Sequence, residues 1–280
     1  MTTAENTMAP ARGTPAGRAR MADLVVAEWI KFRSLRSTTV TLAVLVAVYL
    51  YLAYRGAQDG YQVWQSMPRQ LRPAFDPVHG VFGGPTWMLA MIVAGAVGAM
   101  TVTGEHSTGL IRATFTAAPA RRKVAAAKCA VTAATMTVPG AVIAAGSYAI
   151  NEAVLAGYHI SIPVSGADTA RLILSTTLVT PLCALAGMAL GAVIRNTPAT
   201  IVAVCVLFVF TPFALKSAST RWAVDAANAM PFSFFSRLAV AGNAHLVGGV
   251  ESLTAAWTAL AVWLAASAVI VISVMGWRDA

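Results

Sequence analysis

The sequence predicts an all-α integral membrane protein with six transmembrane helices. Two numbers and one pattern predict it. Of 280 residues, 58% are hydrophobic and only 11% are charged, whereas a soluble domain carries roughly 25% charged residues. The apolar residues also gather in six blocks, each long enough to cross a bilayer. This composition excludes a cytosolic globular enzyme with an ordinary wetted surface. It equally excludes a disordered chain, which needs low hydrophobicity and high charge.

The spans read in order as residues 38–53, 86–102, 124–150, 172–194, 199–215 and 253–275. Span 1 (TVTLAVLVAVYLYLA) ends among Tyr49, Tyr51 and Tyr54, which suit an interface. Span 2 is rich in Ala, Gly and Met, and span 3 carries Pro139-Gly140 as a kink site. Pro181 lies inside span 4, Pro212 near the end of span 5, and Trp277 follows span 6. Small residues in MIVAGAVGAM and AGMALGAV allow helices to approach closely. No remaining stretch is long enough for an independent soluble domain. Residues 1–21 therefore read as a flexible cytoplasmic tail, and residues 22–280 as one membrane domain.

Orientation follows from Lys and Arg, which favour cytoplasmic loops. With the N-terminus inside, the inner segments hold Arg12, Arg18, Arg20, Lys31, Arg33, Arg36, Arg112, Arg121, Arg122, Lys123, Lys128, Arg195 and Arg278. The outer segments hold only Arg55, Arg69, Arg72, Arg171, Lys216, Arg221 and Arg237. Both termini are expected in the cytoplasm, in a multi-pass protein of the cell membrane. The net charge of +9 then reflects loop topology and contact with anionic lipid, and no nucleic-acid partner is expected. Arg171, at the mouth of span 4, is placed to snorkel.

Two segments outside the spans are more specific. Residues 22–35 (ADLVVAEWIKFRSL) put Val25, Val26, Trp29 and Phe32 within helical reach of one side, with Asp23, Glu28 and Lys31 mostly elsewhere. That pattern predicts an amphipathic helix along the inner interface, anchored by Trp29. The loop after span 2 reads VTGEHSTGLIRATFTAAPARRKVAAAK. Glu105 sits at the span end, and Gly109 allows a turn or a close backbone approach. Leu110, Ile111, Ala113, Thr114 and Phe115 form a short mixed helix, which Pro119 ends before the basic Arg121-Arg122-Lys123. A short helix with an apolar side and a basic flank suits docking onto a second protein.

With EWIKFRSLRST before span 1 and GEHSTGLIRATFTAAPARRK between spans 2 and 3, the layout resembles the permease subunit of type-2 ABC exporters, most nearly the compact actinobacterial kind. The resemblance rests on Glu105, Gly109, Leu110, Ile111, Pro119 and Arg121. It implies that Glu105, Gly109, Leu110, Ile111, Arg112, Phe115, Pro119 and Arg121 belong to a coupling helix seated on a separate ATPase subunit. It likewise implies an elbow helix carrying Glu28, Trp29, Lys31, Phe32 and Arg33. The NAMPFSFFSRLAVAG stretch before span 6 would correspond to short extracellular helices that dip back into the membrane; an exposed loop with aromatic anchors is the alternative. The implied function is export of an amphipathic or hydrophobic substrate, such as a drug, antibiotic or lipid-like molecule. The chain would pair with itself or a similar permease, and ATP and Mg would be held by the partner subunit.

What the chain lacks agrees with that division of labour. It contains no GxxxxGK[ST] phosphate loop, no HExxH pair and no GxSxG elbow. His79, His106, His159 and His245 are scattered, and Cys129, Cys183 and Cys205 fall in apolar blocks as small fillers. No enzyme activity, bound cofactor or metal is expected of this chain. Span interiors with almost no ionisable residues argue against a proton-driven carrier or ion-selective pore. A secondary carrier and a non-transporting assembly or anchor protein are the competing readings.

Overall fold

A computed structural model describes residues 20–34, 36–72, 75–76, 78–83, 86–107, 120–160, 164–218, 220–239 and 252–277. The described residues are mostly helical, without strands among them, and six helical segments are long and apolar enough to cross a membrane. In chain order they form α1 (Met21–Ser34), α2 (Arg36–Ser66), α3 (His79–Phe82), α4 (Thr86–Ser107), α5 (Arg121–Gly157) and α6 (Gly166–Ile194). There follow α7 (Thr197–Cys205), a π-helical turn (Val206–Phe210), α8 (Thr211–Ser217), α9 (Arg221–Asn228), α10 (Pro231–Leu238) and α11 (Leu253–Trp277).

All six expected spans are present, and several helices outrun them. Span 1, expected over 38–53, continues as helix to Ser66, and span 3, expected over 124–150, runs from Arg121 to Gly157. At 1.5 Å per residue these are about 46 and 55 Å long, against a hydrocarbon core of about 30 Å. Polar residues end an apolar run but need not end a helix. Past Ala53, α2 is held by neighbours. Gly56 meets the backbone of Gly80 in α3 so closely that a Cβ would sit 2.2 Å from the Gly80 carbonyl oxygen. Further out, Tyr61 stacks on Tyr158 at 3.6 Å between ring centroids.

The helix α6 occupies the centre. In its most apolar stretch 72% is buried, against 17% for α2 and 22% each for the α7–α8 segment and α11. Its closest partner is α4, and glycine is the reason. A Cβ on Gly98 would lie 1.8 Å from the Ala184 carbonyl oxygen, and one on Gly187 would lie 1.9 Å from that of Gly95. The two backbones are in direct contact, a geometry that needs residues without side chains. Two prolines lie inside the central helices. Pro181 leaves the Thr177 carbonyl without its helical N–H donor, and the Thr180 hydroxyl, 3.2 Å from it, compensates while also reaching the Met136 oxygen at 2.9 Å.

The stretch before α11 folds as a helical hairpin. The Trp263 indole N–H donates to the carbonyl of Ala229 at 2.8 Å, in the turn between α9 and α10. Trp263 lies ten residues into α11, so the turn reaches back about 15 Å along that helix. Phe234 and Phe235 are buried, not exposed anchors. The Trp87 ring lies 4.7 Å from Phe235 and 4.4 Å from Tyr49. Arg171, expected to snorkel, instead pairs with Asp168 at 2.7 Å and donates to the Leu238 carbonyl of the hairpin at 3.3 Å.

Arg122, at the start of α5, lies over the ring of Trp277 at 6.0 Å. The end of α11 and the start of α5 thus share one end of the bundle with α1, here termed the proximal end.

Candidate functional site

At the proximal end, four charged side chains from three helices form a closed ring. Its members are Glu28 and Lys31 of α1, Glu105 of α4 and Lys128 of α5. Each lysine contacts both carboxylates. Lys128 Nζ lies 2.5 Å from Glu28 Oε2 and 2.9 Å from Glu105 Oε1, and Lys31 Nζ lies 2.7 Å from Glu28 Oε1 and 3.2 Å from Glu105 Oε1.

Helical spacing builds the α1 half, because residues three apart lie on one side and Glu28 and Lys31 can reach each other from a single helix. Leu24, one turn earlier, packs on Val124 and Ala127 of α5, which turns Glu28 inward. Phe32 packs against the cluster of Val97, Met136 and Ala184, which joins α4, α5 and α6. Glu105 arrives from the last turn of α4 and Lys128 from the second turn of α5.

The ring is sheltered and charge-balanced. Side-chain exposure is 5% for Lys128, 6% for Glu28, 11% for Glu105 and 32% for Lys31. Burial alone would raise the Glu28 pKa, but the charge and hydrogen bond of Lys128, aided by Lys31, hold it below the ordinary carboxylate value. Burial would likewise lower that of Lys31, and the hydrogen bond to Glu28 with the charges of Glu105 and Glu28 raises it instead. Two carboxylates thus face two amines, and the shifts of Glu28 and Lys31 both favour the charged form.

Of the residues singled out from sequence, the structure brings Glu28, Lys31 and Glu105 together. Trp29 is 47% exposed on the outer side of α1, and Arg33 is exposed beyond it. Arg121 is the half-buried first residue of α5. Gly109, Leu110, Ile111, Arg112, Phe115 and Pro119 lie outside the described residues, and with them the proposed coupling helix. Lys128 was read from sequence only as one of the inner-loop charges. Its signal was available: it is an isolated lysine in the apolar run VAAAKCAV, where burial demands an acidic partner.

This arrangement ties α1 to the two helices that flank residues 108–119. The segment leaves α4 within three residues of Glu105 and returns at α5, about two turns before Lys128 is reached. Among the described residues, no group of three or more His, Cys, Asp or Glu side chains is placed to hold a metal ion. No family model matches the chain, and neither does any curated protein.

Proposed function

We propose that this chain is the membrane-spanning permease subunit of an ATP-driven exporter, driven by a separate ATPase through the segment between α4 and α5. The proximal end would face the cytoplasm, in accord with the Lys and Arg distribution. The substrate would be amphipathic or hydrophobic, and two such subunits would line the path.

One observation carries this reading: the ring of Glu28, Lys31, Glu105 and Lys128 locks three helices together beside a short loop. A loop with no mechanical role would need no such buttress. Buried ion pairs contribute little net stability compared with apolar packing, so their use here suits fixing a geometry. In this reading α1 is the elbow helix, with Val26, Trp29 and Ile30 exposed toward lipid, and the α9–α10 hairpin is the element that dips back into the membrane. Moving a two-state gate from 1:99 to 99:1 requires ~5.5 kcal/mol of differential binding from the partner, which only a stiff joint can transmit.

The test begins with co-expression of the chain and an ATPase encoded beside it, with purification through a tag on the permease. A complex is expected in mild detergent, and the ATPase alone in the flow-through would overturn the assignment. Within the complex, Glu105→Ala and Gly109→Pro are expected to abolish substrate-stimulated ATP hydrolysis while insertion persists. Unchanged stimulation in both variants would remove the lever from the mechanism.

A further inference from the structure

Buried hydroxyls in this bundle mostly bond to their own helix. Thr103, Thr135, Thr137 and Thr200 each donate to a carbonyl four residues back, the usual solution for a hydroxyl in an apolar helix. Ser147 and Thr176 do not. Both are fully buried and both hydroxyl oxygens have no partner. Asn151, 1% exposed, has neither its amide nitrogen nor its amide oxygen bonded. The Tyr49 hydroxyl and the Trp87 indole N–H, also buried, are likewise unpartnered.

These five residues lie along the distal half of the bundle but not at one level: the contacts of Thr180 with Met136 and of Gly140 with Thr177 set Thr176 about level with residue 141 of α5, roughly 9 Å from Ser147 and 15 Å from Asn151 along the helix axis. Ser147 and Asn151 are one turn apart on a single face of α5. Gly146 packs on Leu50, so a Cβ there would lie 2.7 Å from Leu50 Cδ2, and this sets Tyr49 level with the Ser147 turn. The Tyr49 and Trp87 rings touch. The contacts of Gly95 and Gly98 with Cys183 and Ala184 set Trp87 about level with residues 173–175, next to Thr176.

We propose that Tyr49, Trp87, Ser147, Asn151 and Thr176 line a buried series of water sites along the distal half of the bundle. A polar group left without a partner in an apolar interior is costly, so these residues call for an occupant. The occupant must both donate and accept, since the Asn151 oxygen only accepts and the Trp87 N–H only donates. It must be neutral, because these polar groups are all uncharged. It must be small, because the Gly56 and Gly80 backbones are in direct contact and the Leu50 side chain closes on Gly146, which leaves no room for a larger solute between those helices. Water satisfies all three conditions. The inference does not rest on the transport reading.

Radiolytic hydroxyl-radical footprinting of the full chain in lipid nanodiscs, in H2(18)O, tests it. Bound water generates radicals in place, so Tyr49 and Trp87 should acquire label despite their burial, with Trp222, 68% exposed, as the internal reference. Asn151→Leu and Ser147→Ala should each reduce that label at least threefold relative to Trp222. The conservative Asn151→Ser should retain it. Melting supplies a second readout: removing the polar group from a dry core would raise the melting temperature, whereas removing a water ligand should lower it. Absence of label in the wild-type protein, label unchanged in both Asn151→Leu and Ser147→Ala, or a melting temperature raised by Asn151→Leu would each overturn the proposal.

Discussion

Replacing Lys128 by Met removes the most buried cation of the ring while keeping the length of its alkyl stem. Glu28 and Glu105, 6% and 11% exposed, would then share one counter-charge, the partly exposed Lys31. Removing one partner of a buried ion pair costs about 3–5 kcal/mol. The remaining lysine still contacts both acids, so the lower end, about 3 kcal/mol, is the expected loss. At roughly 2–4 °C per kcal/mol for a domain of this size, the melting temperature in detergent should fall by about 6–12 °C, read by intrinsic tryptophan fluorescence. Glu28→Gln alone should also destabilise, since it leaves two lysines on one carboxylate. The double variant Lys128→Met/Glu28→Gln keeps the Glu105–Lys31 pair and restores charge balance. Its cost should fall short of the sum of the singles by at least about 1 kcal/mol. If the single losses add within about 0.5 kcal/mol, the four groups do not act as a ring and the joint between α1, α4 and α5 is not electrostatic.

Three further outcomes follow from the geometry. The Glu28 pKa is depressed, so its contribution is full above the unfolded value, fades as pH falls below about 4.5 and is lost below the folded value, whereas that of Lys31, whose pKa is raised, persists until pH climbs above about 10.5. Wild-type melting should therefore drop more steeply on acidification below pH 4.5 than that of Lys128→Met/Glu28→Gln. Gly98→Ala places a Cβ 1.8 Å from a backbone oxygen, so α4 and α6 must part, at a cost of at least about 1–3 kcal/mol; unchanged stability would mean the two backbones are not in contact. Trp263→Phe keeps the ring but loses the bond to Ala229, and should raise protease cleavage or hydrogen exchange within residues 221–239 while leaving α4 and α6 protected.

The six spans were legible because the chain has so few charges that long apolar runs stand out. Helix ends were not, because residues 54–66 are polar yet held helical by Gly80 and Tyr158, neither of which is near them in sequence. The α1 segment shows a subtler limit. Helical spacing separates Glu28 from Val26 and Trp29, but it does not say which of the two sides faces protein. The structure buries Glu28 and exposes Val26, Trp29 and Ile30 at 55%, 47% and 60%. Periodicity identifies which residues share a face, not which face meets protein. Beside a membrane the usual sense reverses, because lipid accepts the apolar side and a paired carboxylate turns inward. Three of the four ring residues were legible, for a related reason. Glu28, Lys31 and Glu105 drew attention through resemblance to a family pattern, whereas Lys128 was absorbed into a charge count that does not ask where each lysine's partner lies.

The distribution of tight contacts bears on how any motion is partitioned. Between Gly98 and Ala184, and between Gly187 and Gly95, α4 and α6 touch backbone to backbone, with no side chains between them to change rotamer. Such a contact cannot yield by small adjustments, so α4 and α6 move as one body or separate altogether. α5 is tied to that body by the Thr180–Met136 hydrogen bond, and α1 is tied to it by the charge ring. The helices α2, α7–α8 and α11 are less buried along their apolar stretches. Their lipid-facing sides can slide at little cost, because one apolar contact there replaces another. Force entering between α4 and α5 would thus be delivered to a stiff three-helix centre, and the relative movement would fall between that centre and its periphery. The seam where α2 meets α5 at Leu50 and Gly146 belongs to that boundary, and the unpartnered Tyr49, Ser147 and Asn151 belong to these two helices. Polar groups that water can rehydrate lower the cost of parting two helices.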